Sequence, residues 1–380
     1  MVVPSGTIPL SGPDITEREI ELVNQVLQTP YLSMGPMIER FEAAVADFVG
    51  ARHAVAVSSG TAGLHLAMVA AGLCPGDEVI TTPFSFVASA NCALYVGATP
   101  RFADIEAMTL NLDPDQVEAA ITPRTRALLP VHVFGQPCAM DRLMGIAQKH
   151  DLVVVEDACE AIGAEFKEQA VGTFGACGVF AFYPNKQMTT GEGGMLVTDD
   201  EAWAALFRSL RNQGRDESGT WLRHVRLGYN YRMPELSAAL GVAQMERIKE
   251  LLAKREQVAN WYTERLNGMD GVQVPWVAPE VTRMSWFVYV VRLAPELDRD
   301  KIMVELARRG VPARPYFTPL HLQPLYRERF GFCEGDFPIT EQVARSTLAL
   351  PFSGRMGEGK VERVCRTLGC VVRGVSKPHL

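Results

Sequence analysis

A lysine, an aspartate and a hydroxyl-rich glycine turn, each just past a short apolar run, are the residues of this chain best suited to chemistry. Lys186 follows Phe180-Ala181-Phe182-Tyr183-Pro184-Asn185 and precedes the polar, glycine-rich run Gln187-Met188-Thr189-Thr190-Gly191-Glu192-Gly193-Gly194. An amine at the mouth of a sheet is partly desolvated, which moves it toward its neutral, nucleophilic form. Most lysines are solvated surface charges, so the surroundings of Lys186 single it out rather than its type. Asp157 ends the run Leu152-Val153-Val154-Val155-Glu156. A carboxylate there can hold a pyridine nitrogen protonated and make its ring an electron sink. The competing reading of Asp157 is the N-cap of the next helix; Glu156 reads as a flanking structural or solvated acid. Ser58-Ser59-Gly60-Thr61-Ala62-Gly63 follows a strand and opens a helix. Free N–H groups, a partial positive charge, hydroxyl donors and a glycine that lets the backbone come close all suit a phosphate. Without a ligand, the same residues are an ordinary Ser/Thr-capped helix start.

The elements that must position these groups follow from apolar periodicity. Seven short apolar runs, at residues 53–57, 78–82, 101–105, 127–133, 152–155, 179–182 and 195–198, alternate with amphipathic segments such as Asp141 to His150. They predict an α/β fold around a seven-stranded, mostly parallel sheet, with ligands at the carboxyl ends of the strands. Before the sheet, Thr16 and Glu19 form a capping-box pair ahead of Ile20, Val23, Val26 and Leu27, and a second helix opens at Pro36 with Phe41, Val45 and Phe48 on one face. Residues 234–267 read as one long helix leading out of the large domain. A strand at 285–293, a helix at 300–309 closed by Gly310, and a strand at 311–316 then predict a smaller C-terminal α/β domain. The expected division is 1–250 for the large domain and 251–380 for the small one, with 375–380 as a mobile tail.

Composition narrows the function further. The 380 residues carry a net charge of −7, with a pI near 5.6, which argues against nucleic acid or an anionic membrane as the main partner. The eight cysteines are scattered without zinc-ligand or redox spacing, so reduced thiols in the cytoplasm and no metal are expected. No leader-like start is evident, and no run reaches the roughly 20 apolar residues that cross a bilayer.

At Phe182-Tyr183-Pro184-Asn185-Lys186, Thr190-Gly191-Glu192-Gly193-Gly194, Ser58-Ser59-Gly60-Thr61, Glu156-Asp157-Ala158 and Gly228-Tyr229-Asn230-Tyr231-Arg232-Met233, the chain resembles the DegT/StrS-type sugar aminotransferases. The likeness runs from about Ile8 to about Phe352 and closes on Pro319-Leu320-His321-Leu322-Gln323-Pro324. It implies a fold-type-I homodimer with active sites shared across the interface and pyridoxal 5'-phosphate as cofactor, passing through pyridoxamine phosphate. By matching position, Lys186 would carry the cofactor as a Schiff base, Asp157 would pair with the pyridine nitrogen and Phe86 would stack on the ring. Gly60, Thr61 and Ala62 would hold the phosphate, and Asn230 would reach it from the neighbouring subunit. The ordinary readings are a core aromatic for Phe86 and a turn residue for Asn230.

Two positions depart from the family pattern. Ala181 stands where many relatives have a phosphate-binding serine, leaving Ser59 or water as substitutes. Glu160 stands near the cofactor's phenolic oxygen, where Gln or His is common. The resemblance implies ping-pong transfer from L-glutamate to a nucleotide-linked 4-keto-6-deoxy hexose, with 3-keto sugars and keto-inositols as neighbouring possibilities. Arg211, Arg215, Arg223 and Arg226 could meet a diphosphate, and Tyr31 and His321 are further substrate candidates. The alternatives are a cofactor-dependent sugar dehydratase, which typically replaces the lysine by histidine, and a regulatory homologue without turnover.

Overall fold

The computed structural model describes residues 6–216 and 222–375; residues 376–380, most of the tail expected to be mobile, lie outside them. Helix α1 (Glu17–Leu27) and α2 (Pro36–Val49) come first. The Thr16 N–H donates to the Glu19 carboxylate at 2.7 Å, as a capping box requires. Leu22 and Val26 of α1 are buried, yet Ile20 and Leu27 stay exposed, so part of the apolar pattern of α1 faces outward.

There follow β1 (His53–Val57), α3 (Gly60–Ala70), β2 (Glu78–Thr81), α4 (Ala88–Tyr95), β3 (Thr99–Phe102), α5 (Pro114–Ala120), β4 (Thr125–Leu128), α6 (Met140–His150) and β5 (Val153–Asp157). A short hairpin, β6 (Glu165–Phe166) and β7 (Gln169–Ala170), precedes β8 (Cys177–Ala181), β9 (Gly194–Thr198) and α7 (Glu201–Arg211). Seven strands, each within a few residues of an expected apolar run, form one sheet in the order β1-β9-β8-β5-β4-β2-β3. β9 is antiparallel to both neighbours, and the pairs from β8 to β3 are parallel.

The runs are continuous rather than alternating because both faces of the sheet are covered. Met195 and Val197 pack on one face with Phe41, Val45 and Phe182, while Leu196 packs on the other with Val55, Leu64 and Phe207. Behind the first face, α8 (Glu235–Glu246) lies so close to α2 that a Cβ at Gly241 would sit 2.8 Å from the Phe41 ring.

The C-terminal third contains α9 (Ile248–Leu266), β10 (Val272–Gln273), β11 (Val281–Arg283), β12 (Tyr289–Leu293), α10 (Arg299–Arg308), α11 (Pro324–Phe330), α12 (Pro338–Ser346), β13 (Thr347–Leu350) and α13 (Glu358–Val375). A three-stranded sheet, β10-β12-β13, packs with α9, α10 and α13 around Tyr262, Tyr289, Leu306, Leu348 and Leu368. Ile8 joins this cluster, and the Phe352 N–H donates to the Leu10 carbonyl at 2.8 Å, so the first described residues belong with the C-terminal part.

Two expected elements differ. The single helix over 234–267 is two helices, because Arg247 leaves helical geometry at φ −116°. Its guanidinium is held by Asp14, Glu19 and Glu250, which fixes the break against α1 and the segment before it. The strand expected at 311–316 is reduced to one bridge between Arg314 and Ala349. Pro312 and Pro315 have no N–H to donate to a ladder, and β13 takes the place beside β12 instead.

Candidate active site

Asp157 is the last residue of β5 and is almost fully buried. Its backbone is fixed on both sides, by its own N–H to Pro130 O at 2.9 Å and by the His132 N–H to its carbonyl at 3.1 Å. The carboxylate accepts from Ser89 Oγ at 2.7 Å and from the Cys159 N–H at 3.1 Å. Ser89 Oγ is in turn 2.9 Å from Ser85 Oγ. The preceding Glu156 is wholly internal: it accepts hydrogen bonds from the N–H groups of Gly172, Phe174 and Gly175 and from His132 Nε2 at 3.1 Å. Two consecutive acids therefore divide their tasks, Glu156 binding the scaffold and Asp157 ending the strand with a carboxylate held in one orientation.

Lys186 sits in the turn after β8, its N–H bonded to Tyr183 O at 2.9 Å. Its amine is 3.3 Å from Glu160 Oε1 and 3.9 Å from the centroid of the Phe287 ring. The other oxygen of Glu160 accepts the Phe134 N–H at 3.0 Å. Burial pushes the Glu160 carboxyl above its ordinary range, while the charge of Lys186 pulls the other way. Tyr316 and Phe317 stack on one another and on Phe134 beside this group. Burial, with a contribution from the Glu160 charge, raises the Tyr316 phenol.

The start of α3 forms the third part. Ser59 caps the helix, its Oγ accepting the Ala62 N–H at 3.1 Å. The N–H groups of Gly60 and Thr61 find no acceptor among the described residues, as expected of a first helical turn. No side chain fits at two points of this corner. A Cβ on Gly60 would lie 2.7 Å from Ala181 Cβ and 2.8 Å from Cys159 Sγ, and one on Gly194 would lie 2.5 Å from Ser59 O. Ala181, the departure noted in the sequence, thus abuts the cradle directly, and the Ser59 hydroxyl remains able to donate.

The remaining expected residues differ in setting. Phe86 is 62% exposed, which removes the core-aromatic reading; its carbonyl accepts the N–H of Ser89, the residue bonded to Asp157. Asn230 is exposed and bridges Asn212 through the backbone, between Tyr229 and Tyr231, whose rings pack on His65 of α3. Tyr31 is exposed, and Arg215 is half-buried, its Nε without a partner among the described residues. His321 is fully buried, 3.0 Å from Glu341 and packed on Phe337. Arg211 also points inward, to Glu42 and the Ala56 carbonyl, while Arg223 pairs with Asp216 at 3.1 Å. Lys186, Asp157, Glu160, Gly60, Thr61 and Ala62 come together; His321 and Arg211 do not join them.

Sequence reasoning missed Ser89, Phe287 and Arg255. Ser89 in the first turn of α4, with Ser85 four residues before it, was a weak signal for the first. The other two had none. Arg255 is one cation in a charged helix, yet it is buried, donating to the carbonyls of Asn185, Lys186 and Phe287, and burial lowers it to about 10.

The profile of the DegT/DnrJ/EryC1/StrS aminotransferase family matches residues 13–369. The chain belongs to this aminotransferase family. GDP-perosamine synthase of Caulobacter vibrioides is 41% identical to it over 369 residues, covering 96% of this chain and 98% of that protein. The spore coat polysaccharide biosynthesis protein SpsC of Bacillus subtilis is 39% identical over 380 residues, covering 97% of each. The PLP form of the putative sugar aminotransferase Spr1654 of Streptococcus pneumoniae superposes with a TM-score of 0.93 at 29% identity, covering 98% of this chain and 100% of that one. The expected α/β fold of pyridoxal-phosphate aminotransferases is the fold found, and the enzyme is a sugar aminotransferase with pyridoxal 5'-phosphate as its cofactor. The site of the aminotransferase suits that group. The free first-turn N–H groups and the side-chain-free corner at Gly60 and Gly194 suit a phosphate, and the oriented Asp157 carboxylate suits a ring nitrogen.

Proposed function

We propose that this aminotransferase moves an amino group from L-glutamate to a nucleotide-linked keto-deoxy sugar, with a 4-keto-6-deoxy hexose as the acceptor class, in cytoplasmic amino-sugar or polysaccharide biosynthesis. The observation that carries the reading is the half-buried Lys186 amine facing Glu160, in the same site as the fixed Asp157 carboxylate and the α3 anion cradle. The names of two relatives, one a GDP-perosamine synthase and one a polysaccharide biosynthesis protein, support a nucleotide-sugar acceptor.

When bound, pyridoxal 5'-phosphate supplies an aldehyde for amine exchange and a ring that takes up the electron pair left when a Cα–H bond breaks. The chain's own residues do the rest. Lys186 Nζ would hold the cofactor by its aldehyde carbon and, once freed by the donor's amine, would carry the proton from the donor Cα to that carbon. In the second half it would carry a proton from that carbon to the sugar carbon that gains nitrogen. Asp157 holds a proton at the ring nitrogen, and Ser89 keeps its carboxylate aimed. The N–H groups of Gly60 and Thr61, with the Ser59 hydroxyl in place of the family's serine at position 181, bind the phosphate; Ala62 contributes through the helix turn, its N–H being bonded to Ser59. Phe86 offers an exposed ring for stacking. Glu160, when protonated, can donate a hydrogen bond to a phenolic oxygen rather than repel it. Tyr31 and Arg215 remain candidates at the sugar-nucleotide end.

The homodimer belongs to the same proposal, with Asn230 reaching the partner's phosphate site. Ile20, Leu27, Tyr31, Leu32 and Met34 are exposed on α1 and the loop after it, and Leu227 is 82% exposed beside Asn230. Apolar side chains left bare in such number suit a subunit surface. Neither the dehydratase nor the regulatory reading has an observation in its favour, since Lys186 and Asp157 are both in place. The test is a mass-spectrometric screen of nucleotide-linked keto-sugars with glutamate. A gain of one amino group on a 4-keto-6-deoxy hexose nucleotide is expected; amination of keto-inositols or 3-keto sugars alone would overturn the acceptor assignment.

A further inference from the structure

Arg255 is a buried cation on α9 with no carboxylate within ion-pair distance among the described residues. Such a group is costly to keep, and an apolar side chain of similar size would fill the space with less penalty. Its guanidinium lies over the Phe352 ring, 5.6 Å from the centroid. What distinguishes it is the pair of chain segments it joins. One nitrogen donates to Lys186 O at 2.5 Å and Asn185 O at 3.3 Å, in the turn after β8. The other donates to Phe287 O at 3.1 Å and Trp286 O at 3.4 Å, in the segment that leads into β12. These are the two segments that place the Lys186 amine, one through its own backbone and the other through the Phe287 ring 3.9 Å away. A planar fork can hold both at a fixed separation, whereas an ammonium is a single point.

We propose that Arg255 is a positioning residue of this aminotransferase: its guanidinium holds Lys186 Nζ between the Phe287 ring and the Glu160 carboxylate, and so governs how fast that amine exchanges with the cofactor. The inference rests on Lys186 as the point of cofactor attachment. It explains why an unpaired cation is kept in an interior that could be apolar, and why it bonds only to main-chain carbonyls. Those acceptors leave the guanidinium without a charge partner to draw it away from the lysine turn.

The full-length enzyme is prepared free of cofactor as wild type, Arg255→Lys and Arg255→Met. Pyridoxal 5'-phosphate is added, and the growth of the lysine-linked absorbance band is followed by stopped flow, with folding checked by thermal melting. Borohydride trapping and peptide mapping of the wild type locate the label. Displacing an amine by a fraction of an ångström to an ångström slows band formation by about 10- to 100-fold in Arg255→Met, with Arg255→Lys intermediate and kcat lowered more than the KM for glutamate. A folded Arg255→Lys that forms the band within about twofold of the wild-type rate overturns the proposal. So does an Arg255→Lys that fails to fold, because the guanidinium would then serve stability alone. Should Arg255→Met not fold, the lysine variant decides. A wild-type label on another lysine would instead overturn the assignment of Lys186, a different failure from a normal rate with the label at Lys186.

Discussion

The Lys186 amine and the Glu160 carboxylate face each other at 3.3 Å in a site where burial raises the carboxyl and the lysine's charge opposes the rise. With the folded value above 4.5, the native chain keeps a proton on Glu160 where the unfolded chain has lost it. Stability then falls as pH rises from about 4.5 through the folded value, and levels off above it. Glu160→Gln lacks that slope. The melting temperature of the cofactor-free variant, relative to wild type, should climb as pH rises above about 4.5. A difference that stays constant across this range would mean that Glu160 is ionised in both states.

Borohydride added to the yellow holoenzyme should fix the cofactor to one peptide, the one containing Lys186. Lys186→Ala should still bind pyridoxamine phosphate, because the α3 cradle and Asp157 do not depend on the amine, and should lose turnover. Equilibrium dialysis and a steady-state assay check the two halves; retained turnover would remove Lys186 from the chemistry.

Asp157→Asn should keep the cofactor but slow the half-reaction with glutamate by about a hundredfold or more, since an amide cannot hold a ring nitrogen protonated. Ser89→Ala removes one hydrogen bond to that carboxylate, worth about 1.5–3 kcal/mol, and should slow the same step by roughly tenfold or more. Single-turnover absorbance measures both. Equal rates for Ser89→Ala and wild type would show that the serine does not aim the acid.

Mixing Asn230→Ala with Lys186→Ala subunits tests the shared site. If Asn230 acts across the interface, the mixed dimer carries both lesions in one site and leaves the other intact, so its activity should exceed that of either parent homodimer. The Ser58 N–H donates to the Tyr231 carbonyl and ties the segment to the β1–α3 junction of its own subunit, which makes the contrast informative. No recovery on mixing would place Asn230 at its own subunit's phosphate.

Glu156→Ala leaves three N–H groups and the buried His132 without their acceptor. It should lower unfolding stability by about 3–5 kcal/mol in urea titrations, a loss typical of breaking a buried ionic network. Cofactor attachment in the fraction that remains folded should be unchanged; loss of attachment in folded protein would give Glu156 a part in the site.

The sequence by itself determined the seven-stranded sheet and the acid, lysine and glycine turn at its edge. The reason is local: the runs Leu152–Val155 and Val179–Phe182 are apolar throughout, and the polar residues that follow each must emerge at the same edge of a parallel sheet. Only the tertiary structure decided what surrounds those groups. Ser89 meets Asp157, and Phe287 and Arg255 meet Lys186, from elements far along the chain, and no spacing in the sequence encodes such encounters. The same holds for the differences. His321 and Arg211 carry the side chains of a binding residue but are claimed by Glu341 and Glu42. Arg247 breaks a helix that its neighbours would continue, because Asp14 and Glu19 hold it from another element. Polar side chains can be satisfied either by solvent and ligand or by the interior, and the fold's packing selects between the two.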